Sequence, residues 1–242
     1  MPFSFAEQLS LSAPDMLPVA LLAGVLGLDV VSFPQAMISR PIVAATIAGA
    51  FLGAPIAGLV CGAALECLAL ESLPVGASRY PEWGSASVVA GAVAAHGVEG
   101  SALPLPGAFA VAVAVGIALA WVGGTLMIKH RQLIAAFARP RLPLLAGGNR
   151  RTVVGLQVFG MSVDFARGVL IGLLGFLPMS LVAALADARW SVSENITRAY
   201  VVAAVAAVAA AAVWKDFHAI SGTRRLFLAS LAVGTLLVIA GV

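Results

Sequence analysis

Residues 40–81 read RPIVAATIAGAFLGAPIAGLVCGAALECLALESLPVGASRYP. Between Arg40 and Glu71 the stretch is apolar and rich in glycine, and its one acidic residue is Glu66. One membrane-spanning helix needs about 20 residues and two crossings about 40, so this run is too long for one and too short for two. Gly53 and Pro55 interrupt it near the middle, where glycine admits a left-handed turn and proline removes a helical hydrogen bond. The spacing therefore predicts a pair of half-helices, or a re-entrant hairpin, meeting around Leu52-Gly53-Ala54-Pro55. Irregular backbone at membrane depth persists only where protein or a water-filled cavity surrounds it. Broken helices of this kind place substrate sites at the midplane of transporters.

Working outward, the composition agrees with a membrane setting. Of 242 residues, 61% are hydrophobic and 10% charged, against about 25% charged in a soluble domain, and the mean hydropathy is +1.04. The expected fold is all-α: a polytopic integral membrane protein with broken or re-entrant helices, residues 1–242 forming a single transmembrane domain. The opening MPFSFAEQLSLSAPD has no Lys or Arg, hence no basic n-region of a cleavable leader, and the first apolar segment is expected to stay as a helix. Cys61 and Cys67 are six apart, which puts them on different helical faces, with no His nearby. They read as small apolar fillers, not as a disulfide or metal site.

The net charge of +3 matters less than its distribution. Lys129, Arg131, Arg139, Arg141, Arg150 and Arg151 place six of the 14 basic residues in a 23-residue stretch without an acid. By the positive-inside rule 129–151 is a basic cytoplasmic loop. Nucleic-acid binding is weakly indicated, because Phe137 is the single aromatic residue among the charges. Lys215, Arg224 and Arg225 form a second basic cluster, expected on the same side after crossings at Phe165–Leu185 and Ala199–Trp214. Leu226–Val242 then crosses once more. Upstream, the apolar segments are Leu17–Ile38, the broken segment, the short Ser85–Ala95, which is expected to pair with it, and Pro106–Ile128.

Gly58, Gly62 and Glu66 recur every four residues, so two small residues and a carboxylate share one helical face. Gly49 and Gly53 repeat the spacing in the first half. Small-xxx-small packing accounts for the glycines but not for Glu66. An acid at the centre of a membrane helix costs on the order of 2.5 to 3.5 kcal/mol on insertion scales. That cost calls for a structural partner such as Arg40 or Arg79, a bound polar ligand, or protonation. Glu71 is turned away from that face. No other intramembrane acid pair suited to proton coupling is evident, which argues against a generic secondary transporter.

The same residues resemble the IIC membrane component of the mannose/fructose/sorbose-type sugar phosphotransferase system. In that family an Arg-Pro pair opens the stretch, a Leu-Gly turn breaks it, and a glycine-rich helix ends in Leu-Glu-x-x-x-Leu before a Gly-Ala pair. Here these are Arg40-Pro41, Leu52-Gly53, Leu65-Glu66 with Leu70, and Gly76-Ala77. The match is strong over about forty residues and extends back to Leu28-Asp29. Arg167 also stands where members tend to carry an arginine.

The resemblance implies a sugar-translocating permease in a bacterial cytoplasmic (inner) membrane, multi-pass and oligomeric. It implies a hexose substrate, a membrane partner subunit IID, and soluble subunits IIA and IIB, with the phosphoryl-transfer residue on a partner. The chain itself would then be non-catalytic and need no cofactor or metal. His96, His130 and His218 lie in unrelated contexts and read as boundary residues, and no GxxxxGK[ST] loop occurs. The implied substrate-binding residues are Glu66 as the main acceptor for sugar hydroxyls, with Gly62, Asp29, Gln35 and Arg40. Pro74 stands where many members have Asn and Glu71 where many have Gly. This leaves two readings: a permease with its own sugar, or a divergent scaffold or sensor that binds the same partners without moving sugar.

Overall fold

Gly53 decides where the apolar run turns. The computed structural model describes residues 5–70, 80–96, 98, 100, 102–217 and 221–240, and over these it is helical with no strand. Helix α2 (Pro41–Phe51) ends at Leu52, and Gly53 follows with φ +81°. The Gly53 amide donates to Ala50 O (3.1 Å) and the Ala54 amide to Gly49 O (2.8 Å). This pairing satisfies the last carbonyls of α2 through a left-handed residue. Pro55 then opens α3 (Pro55–Ala69) at its first position, where a missing amide costs nothing. The expected pair of half-helices is present with its turn at Leu52–Ala54.

Small residues let α2 and α3 approach closely. A Cβ on Gly58 would lie 3.0 Å from Gly49 Cα and against the Ala45 carbonyl, and one on Gly62 would lie 2.7 Å from Pro41 O. Gly53, by contrast, has open space around it, so its role is conformational and the others' is packing. Cys61 is buried and free, as is the half-buried Cys67.

Helix α4 (Trp83–Ala95) lies at the centre of the bundle, touching α1 (Phe5–Leu28), α2, α3, α5 (Pro106–Ala138) and α7 (Arg150–Arg189). Every residue from Gly84 to Ala95 is buried. Its composition, GSASVVAGAVAA, is what a helix surrounded on all sides by other backbones requires. Phe109, Phe176, Leu65 and Met127 are the largest fully buried apolar side chains. Glycines repeat the close approach between α1 and α7, where a Cβ on Gly168 would meet Gly24 Cα at 2.8 Å.

Helices α5 and α7 form a long antiparallel pair. Asp187, near the end of α7, accepts from the amides of Gly107 (2.6 Å) and Ala108 (3.1 Å) at the start of α5. At the other end Phe137 stacks on Phe159 with centroids 4.2 Å apart. The acid meets the positive end of the α5 dipole and satisfies two amides that have no helical partner. At about 1.5 Å per residue, the 33 residues of α5 and 40 of α7 far exceed a hydrocarbon core of about 30 Å. Both are apolar enough to cross a membrane.

Several boundaries differ from the hydropathy reading, for identifiable reasons. Helix α1 stops at Leu28, ten residues before the end of its apolar segment, because the Asp29 side chain takes up loop amides. Helices α5 and α7 run well beyond their apolar portions. Basic residues and glutamine are good helix formers, so hydrophobicity ends at Ile128 while the helix does not. The stretch 129–151 is thus mostly helical: the end of α5, a 3-10 turn at Arg139–Arg141, the short α6 (Leu142–Ala146) and the start of α7. Beyond it lie α8 (Glu194–Phe217), which packs on α3, and α9 (Thr223–Ala240), with Leu226, Leu231 and Leu236 exposed.

Candidate functional site

The loop between α1 and α2 is organised by Asp29. Its Oδ1 accepts from the Ala36 amide (2.5 Å), and its Oδ2 from the Ser39 amide (2.9 Å) and hydroxyl (2.8 Å). Gln35 and Met37 take φ of +58° and +62°, conformations that non-glycine residues rarely adopt. A buried carboxylate with three donors holds them there. Gln35 is exposed and its Nε2 donates to Val31 O (3.0 Å).

At the end of this loop Arg40 precedes α2, and its guanidinium reaches Glu66 on α3. Arg40 Nε donates to Glu66 Oε1 (2.7 Å), Arg40 Nη2 makes a second contact with the same oxygen, and the Ile42 amide donates to Oε2 (3.2 Å). Glu66 is therefore paired, and of the two arginines considered as its partner the described one, Arg40, is in contact. The pair ties the start of α2 to the end of α3. Gly62, one turn before Glu66, faces the backbone at Pro41 and Ile42. Of the five residues expected to bind substrate, Asp29, Gln35 and Arg40 line one cavity of about 330 Å³, together with Ser39, Tyr80 and Trp83. Glu66 stands behind Arg40, and Gly62 lies in the α2–α3 contact. Glu71, Pro74, the Gly76-Ala77 pair, Arg79 and His218 fall outside the described residues.

A second, larger cavity of about 850 Å³ shares Val30, Gln35 and Tyr80 with the first, so the two adjoin. It extends between α5 and α7 past Ser32, His130, Arg131 and Gln157. Arg131 Nη2 donates to the Tyr80 hydroxyl (2.8 Å), and the guanidinium lies 5.3 Å from the ring centroid. Tyr80 thereby stands at the junction of the two cavities, positioned from α5.

Beneath the larger cavity lies a charged cluster that the sequence did not reveal. Asp164 and Glu82 are 0% exposed and Arg167 6%. Arg167 Nη2 lies 2.8 Å from Asp164 Oδ1, its Nε donates to the same oxygen (2.9 Å), and its Nη1 lies 3.2 Å from Glu82 Oε2. Ser32 Oγ donates to Asp164 Oδ2 (2.6 Å). His130 Nε2 sits 3.2 Å from Gly160 O. A carbonyl only accepts, so this nitrogen carries the hydrogen, and Nδ1 is left 3.8 Å from Asp164 Oδ1. Glu82 Oε1 also accepts from the Ser85 amide (3.0 Å), capping α4. One arginine thus joins α7 to the start of α4, and through Asp164 to the α1–α2 loop and α5.

The sequence reading did not foresee this convergence: Asp164 and Glu82 meet on Arg167, and His130, read as a boundary residue, packs beside Asp164. The signal available was Asp164-Phe-Ala-Arg167, an i,i+3 pair on a helix. Hydropathy placed Asp164 just outside the apolar segment, and Glu82 is far from both cluster partners on α7 along the chain. Among the described residues no group of His, Cys, Asp and Glu has metal-binding geometry.

Comparison with known proteins gives concordant findings. A family model described as "PTS system sorbose-specific iic component" matches residues 15–210. The chain is 25% identical over 161 residues to a Klebsiella pneumoniae protein named "PTS system sorbose-specific EIIC component". That alignment covers 66% of this chain and 56% of the relative, so the chain matches little more than half of that protein's length. A solved structure titled "Structure of membrane protein" is similar in fold, with a TM-score of 0.65 and 21% identity, covering 98% of this chain and 95% of the other.

Proposed function

From the premise that the chain belongs to the sorbose-specific IIC family, membrane permease components of sugar phosphotransferase systems, we propose that it binds a hexose and presents it to a cytoplasmic phosphorylating subunit. The observation that carries the proposal is the cavity of about 330 Å³ beside the broken segment. Binding clefts for small ligands have about this size or more, with a few convergent polar groups among apolar ones. Here the polar groups are Gln35, Ser39 and Arg40 and the aromatic ones Tyr80 and Trp83. Sugar hydroxyls need charged and neutral partners to replace lost water, and charge-assisted bonds are roughly twice as strong as neutral ones.

In this reading the five residues divide by task. Arg40 and Gln35 face the sugar. Glu66 holds Arg40 through its paired carboxylate, Asp29 holds the loop that carries Gln35 and Ser39, and Gly62 lets α3 come close enough for Glu66 to reach. Residues 1–242 act as a single transmembrane domain in a bacterial inner membrane, with the helical hairpin 129–151 on the cytoplasmic side. The partners are a IID membrane subunit and soluble IIA and IIB subunits.

The test is accumulation of labelled sugars from a hexose panel in vesicles containing the chain, all three partners and phosphoenolpyruvate. At least one hexose is expected to accumulate, with Arg40→Gln lowering its affinity roughly tenfold or more while the protein still inserts. If none accumulates and none binds, the permease reading is refuted in favour of a scaffold or sensor.

A further inference from the structure

We propose that the larger cavity is a separate site for a phosphate monoester, the phosphorylated form of the sugar held next door, with Arg131 as its anion-binding residue. This rests on the permease reading above. Three observations support it. The cavity, about 850 Å³, adjoins the sugar-sized one, with Val30, Gln35 and Tyr80 lining both, so the two sites are immediate neighbours. The two cavities differ in charge: the smaller sets Asp29 against Arg40, whereas the described residues lining the larger include Arg131 and His130 and no acid. Asp164, whose Oδ1 lies 3.8 Å from His130 Nδ1, is wholly buried and bound by Arg167 and Ser32.

The chemistry of the lining matches a phosphate ester. Guanidinium is planar, permanently charged and suited to paired donation onto phosphate oxygens. The Tyr80 hydroxyl sits 2.8 Å from Arg131 Nη2 and the Gln157 amide lines the same space. A phosphoryl group at Arg131 places the sugar portion toward Tyr80 and Gln35, the two polar side chains shared with the smaller cavity. The surrounding Lys129, Arg139, Arg141, Arg150 and Arg151 raise the local concentration of anions at this end of the bundle. An uncharged hexose gains nothing from that field, so the two cavities discriminate between the two forms of one sugar.

The experiment is equilibrium dialysis of a radiolabelled hexose 6-phosphate against the full chain in phosphatidylcholine nanodiscs. Binding is expected to saturate, to be competed by excess inorganic phosphate, and to weaken roughly 10- to 100-fold in Arg131→Gln. Arg131→Lys should recover part of the loss, and Arg189→Gln, exposed at the opposite end of α7, should leave binding unchanged. Elution as a monodisperse species shows that each variant is folded. Affinity for the unphosphorylated hexose should stay within about threefold in Arg131→Gln. Non-saturable binding, or equal affinity in Arg131→Gln, overturns the site. Displacement of the ester by phosphatidic acid in the discs, dependent on Arg131, overturns it too, assigning the cavity to a lipid headgroup. Loss of hexose binding and uptake with ester binding intact refutes the proposed function alone.

Discussion

Removing the Arg167 side chain should be among the most damaging single changes in the molecule. Arg167→Met leaves Asp164 and Glu82, both 0% exposed, without the guanidinium now 2.8–3.2 Å from their oxygens. Breaking a buried ion cluster by deleting one partner costs about 3–5 kcal/mol, because the remaining charge is stranded. Neutralising both acids as Glu82→Gln and Asp164→Asn retains acceptors for Ser85 and Ser32 and removes the stranded charge. In that background, Arg167→Met should cost roughly 1 kcal/mol or less, since replacing a whole buried charge cluster is often near neutral. The assay is reversible denaturation in mixed detergent micelles, following helix content, with all four combinations measured. The informative quantity is the difference between the two Arg167→Met steps, expected at about 2–4 kcal/mol. An equal cost in both backgrounds would refute the reasoning: the arginine would then act by filling space, and the charges would contribute no net coupling.

Other expectations follow from the same structure. Gly58→Val should destabilise by at least about 1–3 kcal/mol through overpacking against Ala45 and Gly49, whereas Gly53→Ala, with open space but φ +81°, should cost only about 1–2 kcal/mol; the same denaturation assay ranks them, and the reverse order would contradict the packing account. Asp187→Ala removes the acceptor for the Gly107 and Ala108 amides and should cost about 1 kcal/mol, with faster amide exchange confined to the first turn of α5. If Glu66 acts through Arg40, then in hexose binding the double variant Glu66→Ala, Arg40→Gln should be no worse than either single variant. Additive losses in that cycle would instead make Glu66 a direct ligand.

The broken segment was legible because its signals are local. Glycine at 53 and proline at 55 act on their own backbone, and the turn lies where those residues sit. The half-helix at Trp83–Ala95 was visible for the same reason, to within two residues at its start. Helix length at the basic end was not, because hydropathy reports where a chain prefers lipid, and a helix of arginine, glutamine and alanine continues past that point. The α1–α2 loop was hidden within an apolar segment. It depends on one side chain, Asp29, bonding to residues seven and ten positions later, which no periodicity reveals.

By itself the sequence determined the class of protein, the place where its central segment breaks, and the face shared by Gly58, Gly62 and Glu66, since composition, backbone freedom and helical periodicity are properties of neighbouring residues. Only the tertiary structure decided what the charges do. Glu66 meets Arg40 from 26 positions away, and Arg167 gathers acids from its own helix and from Glu82. Which charge pairs with which depends on how α2 folds onto α3, and how α4 seats among α1, α5 and α7. Ion pairing acts over a few ångströms of space, and chain separation says little about that distance until the helices have packed.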